Sequence, residues 1–443
     1  MVIRRVGRAV RGGKLVSRGL TVADQAISSA SNMLLSVAIA TGVSAAVFGE
    51  FALIYSIYWL LLGGTRAAVL DPLLITQRNV LKGAPVHLVA AVSATAVGAL
   101  GIPVGLLLLA TPVDVAWAVF FLGLPVLLLQ DALRYVGFLE QRPGRAVLLD
   151  GVWLVVMVVA TVLALTGVIA GTAAVLALWI LGALLADVIG LVAFGIRREP
   201  VRLRERLKAM WPVSGPLLGD FALSSGSGQL TIFVLPLVAG TALLGQLKAA
   251  QVANGPLNIT VAAASVICLP MVARAVESDA GRGLRIGRMA SLALAGVAVV
   301  YGTVLVLLPE DVGRALFGES WGSGWLVAAV SAQMVLFGIT HGALLAMRGS
   351  RNTKAALRVR IGVAPIAVFL PVALTAVWGR TGLMVGLVVA AATMSLVSWL
   401  VAVRVVPQTP PDAEGPADGE PVDEQAAAPT GKNPLGSPAS AAQ

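Results

Sequence analysis

The sequence predicts an all-α integral membrane protein with about twelve transmembrane helices, arranged in two parallel six-helix lobes around a central cavity. Three observations predict it: the composition, the number of long apolar segments and an internal repeat. Of the 443 residues, 58% are hydrophobic and 12% are charged, whereas soluble domains are about 45–50% apolar and about 25% charged. A soluble fold cannot bury that much apolar surface, so lipid must surround most of the chain.

Twelve apolar segments are long enough to cross the roughly 30 Å hydrocarbon core of a bilayer, which takes about 20 helical residues. They are 21–42, 49–76, 85–110, 115–139, 147–168, 172–196, 214–239, 243–273, 285–308, 325–347, 360–378 and 382–403. The loops on one side of this pattern hold 25 Lys and Arg residues, and those on the other side hold only Arg314 and Arg380. The positive-inside rule therefore places both termini in the cytoplasm.

The internal repeat relates residues 24–49 to residues 220–245. The two stretches begin DQAISSASN and DFALSSGSG, and their ungapped alignment contains eight identities in 26 positions, including Asp24 with Asp220 and Gly49 with Gly245. Six predicted spans precede the basic linker and six follow it, so the two copies start on the same side of the membrane. The repeats are therefore parallel, as in transporters whose halves are related by an axis along the membrane normal.

Five regions follow from this pattern. They are a basic cytoplasmic segment (1–20), an N-terminal six-helix lobe (21–196), a basic cytoplasmic linker (197–213), a C-terminal six-helix lobe (214–403) and a tail (404–443). The linker alternates charged with apolar residues, which is typical of an interfacial helix. The tail is rich in Pro, Ala and Gly and is acidic, which predicts a disordered cytoplasmic segment.

Two stretches resemble the multidrug/oligosaccharidyl-lipid/polysaccharide (MOP) flippase superfamily, in its polysaccharide (Wzx-like) branch. They are DQAISSASNMLLSVAIATGVSAAVFGEFAL at 24–53 and LLPEDVGRALFGESWGSGWLVAAV at 307–330. The layout of six plus six spans is similar to the superfamily's over nearly the whole chain except the tail. A lipid II flippase of the same superfamily would usually have fourteen spans, and this chain has twelve.

The resemblance implies a flippase that moves a polyprenyl pyrophosphate-linked oligosaccharide across the bacterial cytoplasmic membrane, for cell-surface polysaccharide biosynthesis. It also implies that the expected partners are this lipid-linked substrate, membrane lipids and other membrane proteins of polysaccharide assembly. Nucleic acid is not expected, because the net charge of +10 is spread over loops between apolar spans. No nucleotide-binding motif occurs, so no cofactor is expected and the protein is not expected to be an enzyme.

Charged residues inside predicted spans are the first candidates for the site, since such residues usually face a bundle interior or a cavity. Arg66 is predicted either to bind the pyrophosphate or to form a salt bridge with Asp71 or with a carboxylate of another helix. Asp71 precedes Pro72, which predicts a kink. Asp131 and Arg134 are three residues apart and are predicted to form an ion pair, with substrate contact as the alternative.

A polar stripe in span eight provides the remaining candidates. Lys248, Gln251, Asn254 and Asn258 recur every three or four residues, and NGP at 254–256 interrupts the helix. We expect these residues to contact sugar in the cavity or, alternatively, to form hydrogen bonds between helices, and Lys248 to snorkel if it does neither. The full prediction is a set of substrate-binding candidates, Arg66, Arg134, Lys248, Gln251, Asn254 and Asn258, and a set of cavity or coupling-ion candidates, Asp24, Asp71, Asp131 and Asp220.

Two functions of other classes remain as alternatives. A cation-coupled multidrug antiporter of the same fold needs a deeply buried ionisable site, and Asp24 and Asp220 lie near span ends. A membrane-embedded glycosyltransferase or ligase needs catalytic acids or a large external loop, and the longest predicted external loop is 309–324. A metal site is not expected, because His87 and His341 are isolated from each other and from Cys268.

The topology can be tested directly. A reporter fused after Lys208 or placed in the tail should report the cytoplasm, and a reporter inserted near Glu310 should report the exterior. Finding these reporters on the same side would contradict the layout of six plus six spans.

Overall fold

The computed structural model describes residues 2–76, 86–194, 203–222, 226–278, 280–322, 324–350 and 352–406. Within these ranges every regular element is helical. The α-helices are α1 Val2–Ala40, α2 Ala45–Thr65, α3 Asp71–Thr76, α4 Val86–Ala99, α5 Gly101–Leu109, α6 Val115–Leu139, α7 Pro143–Leu165, α8 Thr172–Ala193, α9 Leu203–Phe221, α10 Ser227–Ala253, α11 Pro256–Ser278, α12 Ala280–Val306, α13 Glu310–Phe317, α14 Gly324–Gly349 and α15 Thr353–Val405. A π-helical segment, Arg66–Leu70, joins α2 to α3, and a 3₁₀ turn, Gly318–Trp321, follows α13.

The predicted fold class is confirmed. In the described part of the chain, ten helices are long and apolar enough to cross a membrane. Two of them turn back at a glycine with positive φ, a conformation that glycine adopts without a steric penalty: α10 at Gly240 (φ 77°) and α15 at Gly379 (φ 56°). Each therefore holds the end of one predicted span and the beginning of the next, and α1 contains the first predicted span (21–42) up to its end at Ala40.

The outer surface of the bundle is apolar. Large side chains such as Leu107, Val192 and Leu237 are 68%, 79% and 84% exposed. Contiguous apolar surface of this kind is unfavourable in water and favourable against lipid tails. The chain is therefore a multi-pass membrane protein.

The helices pack as two lobes. In the first lobe α1 packs on α7, and α6 packs on α4, α5 and α8; in the second, α14 packs on α12 and α15, and α11 packs on α12. Aromatic rings fill the centre of the first lobe, where Trp179 stacks on Trp153 and meets Tyr58 edge to face. Such pairs add to the stabilisation from buried area, so the first lobe has a rigid interior.

The two lobes meet where α2 crosses α10, through a reciprocal contact between the two copies of the repeat. A Cβ atom on Gly49 would collide with the backbone of Thr241, and one on Gly245 would collide with the backbone of Ala45. The repeat pairs residue 45 with 241 and residue 49 with 245, so each contact is the image of the other. This is the pattern of a two-fold interface, and it relates the two halves as the sequence repeat does.

Helix α9 departs from the predicted division into regions. The boundary between residues 213 and 214 falls inside α9, which packs on α2, α3 and the π-helical segment of the first lobe. Met210 is buried there, and Phe221 fills the space beside Gly63. The first turns of predicted span seven therefore cover the first lobe. The tail from 407 onward, linker residues 197–202 and the second-copy serines at 224 and 225 lie outside the described residues.

The π-helical segment stands where the sequence predicts a kink at Pro72. Proline has no N–H group, so it cannot donate the α-helical hydrogen bond to the carbonyl of Ala68. The hydroxyl of Ser214 in α9 donates to that carbonyl instead, at 2.7 Å. A side chain of α9 thus satisfies the carbonyl that the proline leaves free.

The reciprocal contact can be tested with single methyl groups. Gly49→Ala and Gly245→Ala should each lower the free energy of unfolding by roughly 1–3 kcal/mol, because the added Cβ overpacks the crossing. Gly64→Ala on the same helix α2 is the control, since a Cβ there meets nothing within 4 Å. Thermal unfolding in detergent measures the effect, and equal stability of all three variants would contradict the close approach of the lobes.

Candidate functional site

A cavity of about 580 Å³ lies between the two lobes. Its walls come from α1, α2, α6 and α7 of the first lobe and from α10, α11 and α14 of the second. Binding pockets for small ligands typically measure about 300–1,000 Å³ and lie between domains or between helices of a bundle. The size and position therefore identify this cavity as the candidate site.

The first copy of the serine-rich repeat forms one wall. Gln25, Ser28, Ser29 and Asn32 recur at helical spacing along α1 and line the cavity. The sequence left open whether this stretch serves close packing or faces a cavity. In the structure it contributes a strip of hydrogen-bonding groups to the cavity wall.

Arg66 forms a bidentate ion pair with Asp131 of α6. Its Nε donates to Oδ2 at 2.8 Å and its Nη2 to Oδ1 at 2.5 Å, and its guanidinium lies 5.2 Å from the ring centre of Tyr135. Of the two predicted roles, the salt bridge to another helix is therefore present, with Asp131 rather than Asp71 as the partner. The Arg66 side chain remains 22% exposed and lines the cavity, so it combines a structural pair with access to a ligand.

Arg134 is the centre of the buried charge cluster. Its Nε and Nη2 donate to Oδ2 of Asp24 at 2.9 and 2.5 Å, and its Nε lies 3.1 Å from Oδ2 of Asp150. The predicted pair with Asp131 is its longest contact, at 3.8 Å. The other oxygen of Asp150 accepts from the amide of Gln130 at 2.9 Å. Three helices of the first lobe are thus held together by one guanidinium.

The polar stripe of span eight divides into two groups. Lys248, Gln251 and Asn258 line the cavity, whereas Asn254 is fully buried and does not. Asn254 donates to the carbonyl of Ala250 at 2.9 Å and accepts from the hydroxyl of Ser331 at 3.2 Å. It caps the end of α10, where the predicted interruption of the helix is confirmed, so its amide serves packing between helices instead of a substrate.

The cavity or coupling-ion candidates also separate. Asp131 lies on the cavity wall, and Asp24, 1% exposed, lies behind it against Arg134. Asp71 is half-buried and Asp220 is exposed at the end of α9, and neither lines the cavity. The two copies of the repeat have therefore diverged, because the position matching Arg134 in the second lobe is Val330.

Sequence reasoning missed two members of the cluster. Asp150 lies near a predicted span end, where contact with interfacial water is the simplest expectation, yet it is 1% exposed. Gln130 belongs to neither set of predicted site residues, although it stands one helical turn from Arg134 on the same face of α6. That spacing was the available signal for Gln130. Asp24 is 110 residues from Arg134, and the sequence contains no signal that predicts their pairing.

Solved transporter structures share the arrangement of two helical lobes with a cavity between them. No family model matches the chain, and no curated protein matches it in sequence. Lipid II flippase MurJ in an inward closed conformation is similar over 88% of this chain and 88% of its own, with a TM-score of 0.66 at 12% identity.

Two further solved structures share the fold. An inward-facing multidrug resistance transporter of the MATE family covers 86% of this chain and 94% of its own, with a TM-score of 0.63 at 15% identity. A MOP-superfamily transporter from Pyrococcus furiosus is described as having a binding pocket of reverse polarity. It aligns with 87% of this chain over 94% of its own length, with a TM-score of 0.53 at 14% identity. At these identities the similarity establishes the fold, and the substrate must be argued from the cavity.

The Arg66–Asp131 pair can be tested by a double substitution. Arg66→Gln should destabilise the protein by about 3–5 kcal/mol, because it leaves a buried carboxylate without its main partner. Adding Asp131→Asn should restore much of that stability, as measured by thermal unfolding in detergent. The control is Arg314→Gln, whose pair with Glu310 is exposed and should contribute at most about 1 kcal/mol. If Arg66→Gln were as mild as the control, the pair would not be structural.

Proposed function

We propose that this protein is a flippase that translocates a polyprenyl pyrophosphate-linked oligosaccharide across the bacterial cytoplasmic membrane for cell-surface polysaccharide biosynthesis. The proposal combines the transporter fold with the chemistry of the cavity wall. The head group of such a substrate is strongly anionic and rich in hydroxyl groups, and it cannot cross hydrocarbon unaided. A protein that carries it must offer cations, hydrogen bonds and water in a cleft while the lipid chain stays in the membrane.

The balance of charge on the wall is the observation that supports this substrate. Among the described residues, three cations line the cavity, Arg66, Arg134 and Lys248, and one carboxylate, Asp131. Asp24 and Asp150 balance Arg134 from behind the wall. A ligand in the cavity therefore meets more positive than negative groups at contact distance, which favours an anionic head group over a cationic one.

The neutral part of the wall suits sugar. Gln251 and Asn258 of the second lobe line the same cavity as the polar strip of α1. Their amides carry both donors and acceptors, as hydroxyl groups require. Tyr58 and Trp59 add aromatic surface to the wall, and an apolar sugar face can pack on such surface.

The position of Arg66 supports the direction of transport. It lies in the second predicted span (49–76), in the half nearer the loops rich in Lys and Arg, which the positive-inside rule assigns to the cytoplasm. Lipid-linked sugars are assembled on that side. We therefore propose that Arg66 binds the pyrophosphate through the N–H groups that Asp131 does not occupy. We expect Arg66→Lys to retain part of the transport activity, because lysine keeps the positive charge but loses the bidentate donor geometry of the guanidinium group.

A multidrug transporter is the second candidate. Tyr55, Tyr58, Trp59 and Trp153 together give the cavity an aromatic lining that would also accept a flat, drug-like molecule. An organic cation, however, would meet Asp131 already paired with Arg66, and it would also meet the ammonium of Lys248, which has no ion-pair partner among the described residues. The aromatic lining favours this candidate and the charges oppose it.

Reconstitution into liposomes separates the two functions. The wild-type protein should move a fluorescent polyprenyl pyrophosphate oligosaccharide between leaflets and leave drug-like cations unmoved. The double substitution of Gln251 and Asn258 by leucine should lower transport of the glycan by about ten-fold or more, since each lost hydrogen bond weakens binding by about 0.5–1.5 kcal/mol. Thr393→Leu is the control, because Thr393 is half-buried on α15 and does not line the cavity. Movement of cations without movement of the glycan would contradict the proposal.

A further inference from the structure

Lys248 differs from the arginines of the cavity in having no counter-ion within the described part of the chain. Among the residues that the structure describes, no carboxylate lies within salt-bridge distance of its ammonium, whereas Arg66 and Arg134 each have at least one bonded aspartate. The Lys248 side chain is half-buried on the cavity wall, with Nζ 4.1 Å from the ring centre of Tyr55. A ring face offsets only part of the loss of water around an ammonium group, so an anion in the cavity would complete the site.

The depth of Lys248 indicates which anion this is. Tyr55 of α2 and Arg66, the first residue of the π-helical segment, are eleven residues apart, which corresponds to about 16 Å at the rise of an α-helix. That distance is longer than a pyrophosphate and is about half the thickness of the roughly 30 Å hydrocarbon core. A pyrophosphate held by Arg66 therefore cannot contact Lys248 at the same time. The anion at Lys248 must therefore sit farther along the glycan.

The wall between the two cations fits that arrangement. Tyr58, Trp59 and Leu62 occupy the turns of α2 between Tyr55 and Arg66, and Gln251 stands one turn from Lys248 on α10. Aromatic and amide groups contact sugar rings without requiring charge. A short oligosaccharide could extend along this wall from one cation to the other.

We infer that the substrate is an acidic oligosaccharide, and that Lys248 binds a sugar carboxylate, such as that of a uronic acid, located several bonds away from the lipid pyrophosphate. This inference rests on the proposed function and narrows it to one class of glycan. The compact ammonium group of Lys248, with three donors that rotate freely, suits a carboxylate whose orientation varies with the sugar conformation.

The test uses two lipid-linked tetrasaccharides that differ only in one residue, glucuronic acid in one and its carboxyl-reduced form, glucose, in the other. In proteoliposomes the wild-type protein should move the acidic glycan faster. Lys248→Gln should slow the acidic glycan by about ten-fold or more, because a hydrogen bond to a charged group contributes about 1.5–3 kcal/mol. It should slow the neutral glycan much less, because only the acidic glycan carries the carboxylate, and thermal unfolding in detergent shows that the variant is folded. Lys248→Arg should retain preference for the acidic glycan.

A second measurement needs no variant. Soluble oligosaccharide containing glucuronic acid should inhibit wild-type transport more strongly than its carboxyl-reduced form. Equal slowing of both glycans by Lys248→Gln, no slowing of either, or equal inhibition by the two soluble sugars would overturn the inference while leaving the flippase function intact. Failure of the wild-type protein to move either glycan would instead overturn the proposed function. Lys354→Gln, which removes an exposed charge at the start of α15, is the matched control.

Discussion

The buried charge cluster around Arg134 is the constraint on which the first lobe depends. Arg134 lies between Asp24 of α1 and Asp150 of α7, and the neighbouring Asp131 holds Arg66. Ionised groups in a low-dielectric interior are strongly unfavourable unless they are paired, so α1, α2, α6 and α7 cannot separate independently. In this arrangement Arg66 and Arg134 line the cavity, whereas the carboxylates of Asp24 and Asp150 lie behind its wall. Stability and the charge of the wall are therefore set by one group of side chains.

Composition and segment length predicted the fold class because the bilayer imposes one rule on the whole chain. Every spanning segment must satisfy its backbone hydrogen bonds internally and expose apolar side chains, and both properties are local in sequence. The divided helix at 254–256 was predictable for the same reason, since Gly and Pro act on the adjacent backbone. Lys248 and Gln251 are three residues apart on α10, so their common exposure to the cavity also follows from spacing, whereas Asn258 lies beyond the break, on α11.

Partners across helices were not predictable from one sequence. The sequence around Asp150 does not indicate whether its carboxylate contacts interfacial water or the guanidinium of Arg134. The outcome depends on the position of α6, which the neighbouring residues do not determine. Asn254 fits the spacing of the polar stripe, yet the cap at the end of α10 turns it inward. The boundary at 213/214 was placed by a change in composition, whereas α9 continues through it because Met210, Ser214 and Phe221 share a face that packs on the first lobe.

The crossing at Gly49 and Gly245 has a consequence for the origin of the fold. Two identical six-helix chains facing each other across a two-fold axis would make this contact twice, once in each direction, with no further change in sequence. The present protein makes both copies within one chain. The crossing is therefore what an ancestral homodimer would have needed, and gene fusion would have preserved it while the buried arginine cluster became specific to one half. On this view the lobe interface is older than the difference between the lobes.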